Sequence, residues 1–232
     1  MDFKALNDRV RQAGGDVVID DCYGQRYIAS GLSGRSITIN GTPGNALGAY
    51  LDGAAVTVNG NAQDAVGDTM NDGRIVVHGS AGDALGYAMR GGKIFVKGNS
   101  GYRTGIHMKQ YKDKRPVIVV GGSAGSFLGE YLAGGLIIVL GIGARDGRVV
   151  GNFPGTGMHG GSIFLRTGTP PPHLPAQLYA APATPEDLEI AAPHIEEFAG
   201  YFGYDAKELL GGKYCVLRPN SRNPYHRMYT AN

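Results

Sequence analysis

Cysteine is scarce in this 232-residue chain: only Cys22 and Cys215 occur, near opposite ends. They form no metal-ligand cluster and suit a reducing, cytoplasmic compartment. Long apolar runs are also missing. No stretch approaches the ~20 apolar residues needed to span a bilayer. The opening MDFKALNDRVRQAGG lacks the apolar core of a signal peptide, so no membrane partner is expected. Charge of one sign is missing as well, since 22 Lys and Arg against 20 Asp and Glu leave +2. That balance provides no general electrostatic attraction for nucleic acid.

Signatures of chemistry are equally sparse. There is no G-x-S-x-G elbow, and the glycine-rich GGSAGSFLG at 121–129 lacks the Lys-Ser/Thr pair of a phosphate loop. Histidines 78, 107, 159, 173, 194 and 226 fall into no HxH or HExxH arrangement. Asp64 and Asp83 share a column with Asn45 and resemble a retaining-glycosidase pair, but a stacked repeat aligns equivalent acids automatically. No catalytic, cofactor-binding or metal-binding residue is therefore assigned to this chain.

Glycine is abundant instead, at 39 residues against a usual ~7%, without the G-X-Y period of collagen. Apolar residues make up 42%, enough for a core. The glycines recur. Gly41, Gly60, Gly79, Gly98, Gly122 and Gly141 are spaced 19, 19, 19, 24 and 19 residues apart. A second glycine follows seven positions later, at Gly48, Gly67, Gly86, Gly105 and Gly129. Before each first glycine two apolar residues alternate: Ile37 and Ile39, Val56 and Val58, Ile75 and Val77, Ile94 and Val96, onward to Ile163 and Leu165. Period two with β-branched residues reads as a short strand with one buried face.

Two further columns, Leu51-Met70-Met89-Met108-Leu132-Met158 and Leu47-Val66-Leu85-Thr104-Leu128, complete a cross-section. A unit of 19 residues buries too little alone and must stack on its neighbours. About ten residues separate successive strands, leaving no room for the crossover helix of a dinucleotide-binding fold. The expected fold is all-β: a right-handed parallel β-helix of about seven coils with small α/β terminal caps, both series of glycines standing at the coil corners.

The expected organisation is a cap at 1–33, the repeat at 34–168, and a proline-rich arm with short helices and a tail at 169–232. Phe3, Leu6 and Val10 stand at helical spacing, and DVVID at 16–20 reads as an irregular first strand. Thr184-Pro185-Glu186-Asp187 has the form of a helix start. That helix is expected to reach Gly200, with Pro193 as a break; a short helix at 204–210 and a strand at 213–217 follow.

Two segments stand out from the scaffold. The five extra residues in the 24-residue interval carry Lys109, Tyr111, Lys112, Lys114 and Arg115 out of the repeat, next to Arg90, Lys93, Lys97 and Arg103 of preceding coils. Three readings remain open for this insertion: a solvated bulge, a protein contact, or a small-molecule or nucleic-acid contact. The tail RPNSRNPYHRMY offers Arg222, Tyr225, Arg227 and Tyr229 either to its own fold or to a partner. The repeating side surface also leaves room for self-association.

The pattern GxxGxxLGxxMxGGxIxVxG, present at 79–98 and again in variant form at 122–141, resembles the C-terminal glycine-repeat domain of the glutamate synthase large subunit. It is also similar to the glycine-repeat subunit of formylmethanofuran dehydrogenase. The resemblance covers about residues 31–168 and implies a structural role. It further implies that FMN and iron–sulfur clusters sit on partner subunits, of amidotransferase and FMN-binding type. The family's N-terminal cysteine nucleophile has no counterpart in Met1-Asp2-Phe3, and no family catalytic residue transfers to this numbering. The leading expectation is a noncatalytic assembly subunit of a glutamate-synthase-like complex. The alternatives are the equivalent role in a formylmethanofuran dehydrogenase-like complex, or an independent hydrolase.

Overall fold

The computed structural model describes residues 2–220. A capping helix, α1 (Phe3–Gln12), is followed by parallel strands β1 (Val17–Tyr23), β2 (Ser36–Thr42), β3 (Asp52–Asn59), β4 (Asp72–Val77), β5 (Lys93–Val96), β6 (Val117–Val120), β7 (Ala133–Val139) and β8 (Gly160–Leu165). Each pairs with the next in chain order. This is a right-handed parallel β-solenoid with a 19-residue repeat. The register places Ile37, Val56, Ile75, Ile94, Ile118, Ile137 and Ile163 in one line, as the alternation predicts. β1 joins the same ladder through Val17–Ile37 and Ile19–Ile39, so the first strand extends the stack by a rung.

The interior is filled by these columns. Leu47, Val66, Leu51, Met70, Met89, Met108, Leu128 and Leu132 are all fully buried. Thr104, the polar member of its column, is also buried, and its hydroxyl donates to Ser100 Oγ at 2.9 Å. A buried hydroxyl without such a partner would be costly.

Away from the strands, each coil crosses in a turn whose residues alternate between right- and left-handed backbone. In one coil Ala84, Gly86 and Ala88 have φ of 55°, 68° and 50°. The alternation lets Ala84 N–H donate to Tyr102 and Ala88 N–H to Ile106 in the next coil, while Gly86 N–H donates back to Val66. The turn therefore forms its own coil-to-coil ladder and leaves these amides paired. Gly86 has a second constraint: a Cβ there would meet Ile118 Cδ1, reaching in from a following coil. The same glycine–isoleucine relation recurs at Gly48–Ile75, Gly67–Ile94, Gly105–Ile137 and Gly129–Ile163. Gly41 and Gly141 also have positive φ, whereas Gly60, Gly79, Gly98 and Gly122 do not. At those four positions the adjacent coil crowds the backbone.

After β8 the chain builds an outer layer. β9 (Leu178–Pro182) forms in the proline-rich stretch, which sequence regularity alone does not mark as a strand. β10 (Cys215–Pro219) lies antiparallel between β8 and β9 and closes that end of the sheet. Between them run α2 (Pro185–Phe202) and α3 (Ala206–Leu210). Thr184 and Asp187 cap α2 reciprocally, Asp187 N–H donating to Thr184 Oγ1 at 3.2 Å and Thr184 N–H to Asp187 Oδ2 at 3.0 Å. The helix continues through Pro193 to a left-handed Gly203 cap, so the expected break does not occur. Pro193 is exposed, while Ala191, Ile195, Phe198 and Ala199 fasten the opposite face to the sheet.

That docking explains a change along the ladder. β3 alternates buried and less buried residues, whereas Val117, Ile118, Val119 and Val120 of β6 are all buried. Even-numbered Ile118 and Val120 face the solenoid core. Val117, Val119, Leu136, Ile138 and Phe95 face outward into a second apolar cluster beneath α2.

Candidate interaction surface

The basic insertion is a short, exposed hairpin closed by one bridge between Tyr111 and Lys114. Lys114 N–H donates to Tyr111 O at 3.1 Å, and Tyr111 N–H to Lys114 O at 3.2 Å. Gln110 Nε2 donates to Lys112 O at 3.4 Å, and the Lys112 ammonium lies 5.3 Å from the Tyr111 ring centroid. Lys114 folds back on the preceding coils, its Nζ 2.9 Å from Asp72 Oδ2 and 3.6 Å from Asp52 Oδ1. The hydrogen bond from Lys114 holds the Asp72 carboxyl below the usual carboxylate range, and reciprocally raises the lysine. Lys109, Tyr111 and Lys112 are exposed.

Between this hairpin and α2 lies an open cleft of about 520 Å³. Gly53, Gly73 and Gly92 form its floor; Arg74, Lys93, Arg115 and Glu197 are among its walls. Lys93 Nζ is 2.6 Å from Glu197 Oε2, and Tyr201 Oη donates to Glu197 Oε1 at 2.9 Å. Burial and this carboxylate raise the Tyr201 phenol above its ordinary value. The Arg74 guanidinium lies 5.5 Å from the Tyr201 ring centroid, in cation–π range. His194, one turn before Phe198, has a buried Nδ1 with no hydrogen-bond partner among the described residues. Burial first, then Lys93 and Arg115, lower its pKa against the opposing pull of Glu197.

The turn flank presents a third surface. Tyr131 stacks on His107 at 5.0 Å and 6°, while Tyr87 approaches His107 edge-on at 6.0 Å. Phe127 and Phe153 meet at 5.5 Å. Rings from successive coils gather here because stacking superimposes their positions, a relation visible only once the repeat is aligned. A further cleft of about 640 Å³ lies between residues 146–153 and the prolines at 170–172.

The acids singled out from sequence have structural work. Asn45 Oδ1 accepts from Asp64 N–H at 3.3 Å, Asp64 Oδ1 from Asp83 N–H at 2.9 Å, and Asp83 Oδ1 from Tyr102 N–H at 2.8 Å. Each side chain thus ties one coil to the next. Among the described residues no group of three or more His, Cys, Asp or Glu is placed to hold a metal ion, and no helix is long and apolar enough to cross a membrane. Cys22 and Cys215 are buried free thiols, with pKa values pushed up by burial. Arg222, Tyr225, Arg227 and Tyr229 lie outside the described residues.

A glycine-cornered parallel solenoid with charged residues gathered beside one insertion defines a repeat-solenoid class of protein. Residues 6–213 match the family model described as the GXGXG motif, and the chain belongs to that family. It is 43% identical over 244 aligned positions to "Uncharacterized protein MJ1350" of Methanocaldococcus jannaschii, covering 99% of this chain and 94% of that protein. Its fold is also similar to a chain in the crystal structure of the formyltransferase/hydrolase complex (FhcABCD) from Methylorubrum extorquens in complex with methylofuran. There the TM-score is 0.65 at 24% identity, over 86% of this chain and 72% of the other.

Proposed function

We propose that this chain is a noncatalytic scaffold subunit of a multi-subunit enzyme assembly, of the formyltransferase/hydrolase type rather than a free-standing enzyme. The observation that carries this reading is the shared solenoid, extending over 86% of the chain, with a component of such a complex. The closed, solidly packed interior and the engagement of Asp64 and Asp83 in coil-to-coil bonds agree with a structural role. Partners meet the exposed side of the insertion hairpin, at Lys109, Tyr111 and Lys112. The test is co-expression of the full chain with formyltransferase/hydrolase-type subunits, followed by size-exclusion chromatography. Co-elution that weakens at least tenfold with Lys109→Glu/Lys112→Glu is expected; elution of this chain alone overturns the assignment.

The glutamate-synthase-type reading is supported by the recurrent GxxGxxLGxxMxGGxIxVxG pattern at 79–98. It requires association with amidotransferase and FMN-binding subunits instead. The same co-elution experiment with those subunits separates the two readings, because each predicts a different stable partner.

A further inference from the structure

The cleft between the insertion hairpin and α2 contains more cationic than anionic groups. Lys93 is matched by Glu197, and Lys114 by Asp52 and Asp72. Two guanidiniums are left without a carboxylate partner among the described residues: Arg74, which rests on Tyr201, and Arg115. Both line the same cleft, and Lys93, the register partner of Arg74, stands on the strand between them. The His194 imidazole is lowered first by burial and then by Lys93 and Arg115, against the opposing pull of Glu197. Each carboxylate present is held by a lysine, Glu197 by Lys93 and both Asp52 and Asp72 by Lys114, which leaves the two guanidiniums for an incoming anion.

We propose that this cleft is a binding site for a small, doubly charged oxyanion, either a phosphate group or a dicarboxylate, clamped between Arg74 and Arg115. A guanidinium presents a planar fork of donors that matches two oxygens of a carboxylate or phosphate, and charge-assisted bonds of this kind are the strong ones. The volume of about 520 Å³ falls within the ~300–1,000 Å³ of small-molecule sites. Arg74 stays positioned by its contact with Tyr201, which Glu197 anchors in turn. The site lies between the hairpin and α2 and its lining residues all belong to this chain, so it can be titrated in the absence of partners.

The test is calorimetric titration of the full chain at low salt with inorganic phosphate and, separately, with succinate, using chloride as the control. Saturable binding is expected with at least one of the two, and which one saturates assigns the ligand as phosphoryl or carboxylate. Arg74→Gln and Arg115→Gln should each weaken it at least tenfold. Both side chains are exposed, so the variants should melt like the parent; Arg145→Gln, on a separate exposed loop, should bind like it. On saturation the imidazole pKa of His194, followed by NMR, should rise because the anion offsets the field of Lys93 and Arg115. Failure of both ligands to saturate up to about 10 mM, a concentration corresponding to very weak binding, overturns the proposal. So does saturation that persists in the double variant Arg74→Gln/Arg115→Gln.

Discussion

A side chain at position 86 would conflict with two separate constraints. Gly86 has φ of 68° and lies where a Cβ would press on Ile118 Cδ1. Gly24 has φ of 76° but open space around its missing Cβ. Gly24→Ala should therefore cost about 1–2 kcal/mol for the left-handed backbone alone. Gly86→Ala should cost a further ~1–3 kcal/mol for overpacking. Removing the offending methyl with Ile118→Val should recover part of that second increment. Urea denaturation of the double-mutant cycle reads this as a coupling energy; strict additivity would show that the contact contributes nothing. At the same scale, two groups set a pH dependence. Burial alone would raise the Asp187 carboxyl, but its bonds from Arg218 and the Thr184 backbone outweigh that and hold it low. Stability from Asp187 is present above the ordinary carboxylate pKa of ~3.9 and is lost as pH falls through the lower folded value. His194 is also lowered, so the unfolded imidazole takes up a proton that the folded one refuses. Its contribution is complete above ~6.5 and declines below it. His194→Asn should flatten the stability slope immediately below that pH, measured by urea midpoints across the range.

Among the elements, α2 joins the outer layer to the ladder. Its apolar residues cover the outward faces of β5 to β8, and Phe198 is fully buried between them. Phe198→Ala should destabilise by about 3–5 kcal/mol, as for other buried phenylalanines, read as a lowered melting temperature. Pro193 has the opposite effect on its own helix. It removes one intrahelical hydrogen bond on the exposed side, where apolar packing on the other side keeps the axis intact. Pro193→Ala should stabilise by about 1–3 kcal/mol, within the ~3 kcal/mol helix-interior difference between these residues. Failure of the melting temperature to rise would mean that the proline fits a strain-free kink. The outer cluster was partly legible in the sequence: Val117 and Val119 alternate with Ile118 and Val120, and an exposed strand face does not ordinarily carry such residues. What covers that face was not legible there, because an apolar strand surface specifies burial without specifying its partner.

For the molecule as a unit, each coil contacts its neighbours through strand and turn ladders, so stability accumulates along one axis. The two ends are finished differently. α1 and β1 terminate one end, whereas β10 and β9 turn antiparallel and close the other. Hydrogen exchange should therefore be slowest in β5 to β7, which have neighbours on both edges and α2 outside, and faster in β1. Uniform protection from β1 to β8 would instead indicate a single cooperative block. The same arrangement confines variation to what interrupts the repeat. The insertion at Lys109–Arg115 and the segment after Gly168 supply Lys114, Arg115 and Glu197 to the charged cleft without disturbing the core columns.

The amino-acid pattern by itself determined the coil, its parallel register and its interior columns. Equivalent residues must coincide when identical short units stack, so spacing in the chain becomes contact in space. The basic character of the insertion and the capped start of α2 were readable for similarly local reasons. Only the tertiary structure decided that α2 runs through Pro193, that β9 and β10 close the sheet, and that Lys93 meets Glu197 across 104 residues. Those outcomes depend on the fit between surfaces distant in sequence, for which no local periodicity exists. The cleft containing Arg74 and Arg115 arises at that junction, where a repeated surface and a nonrepeating segment meet.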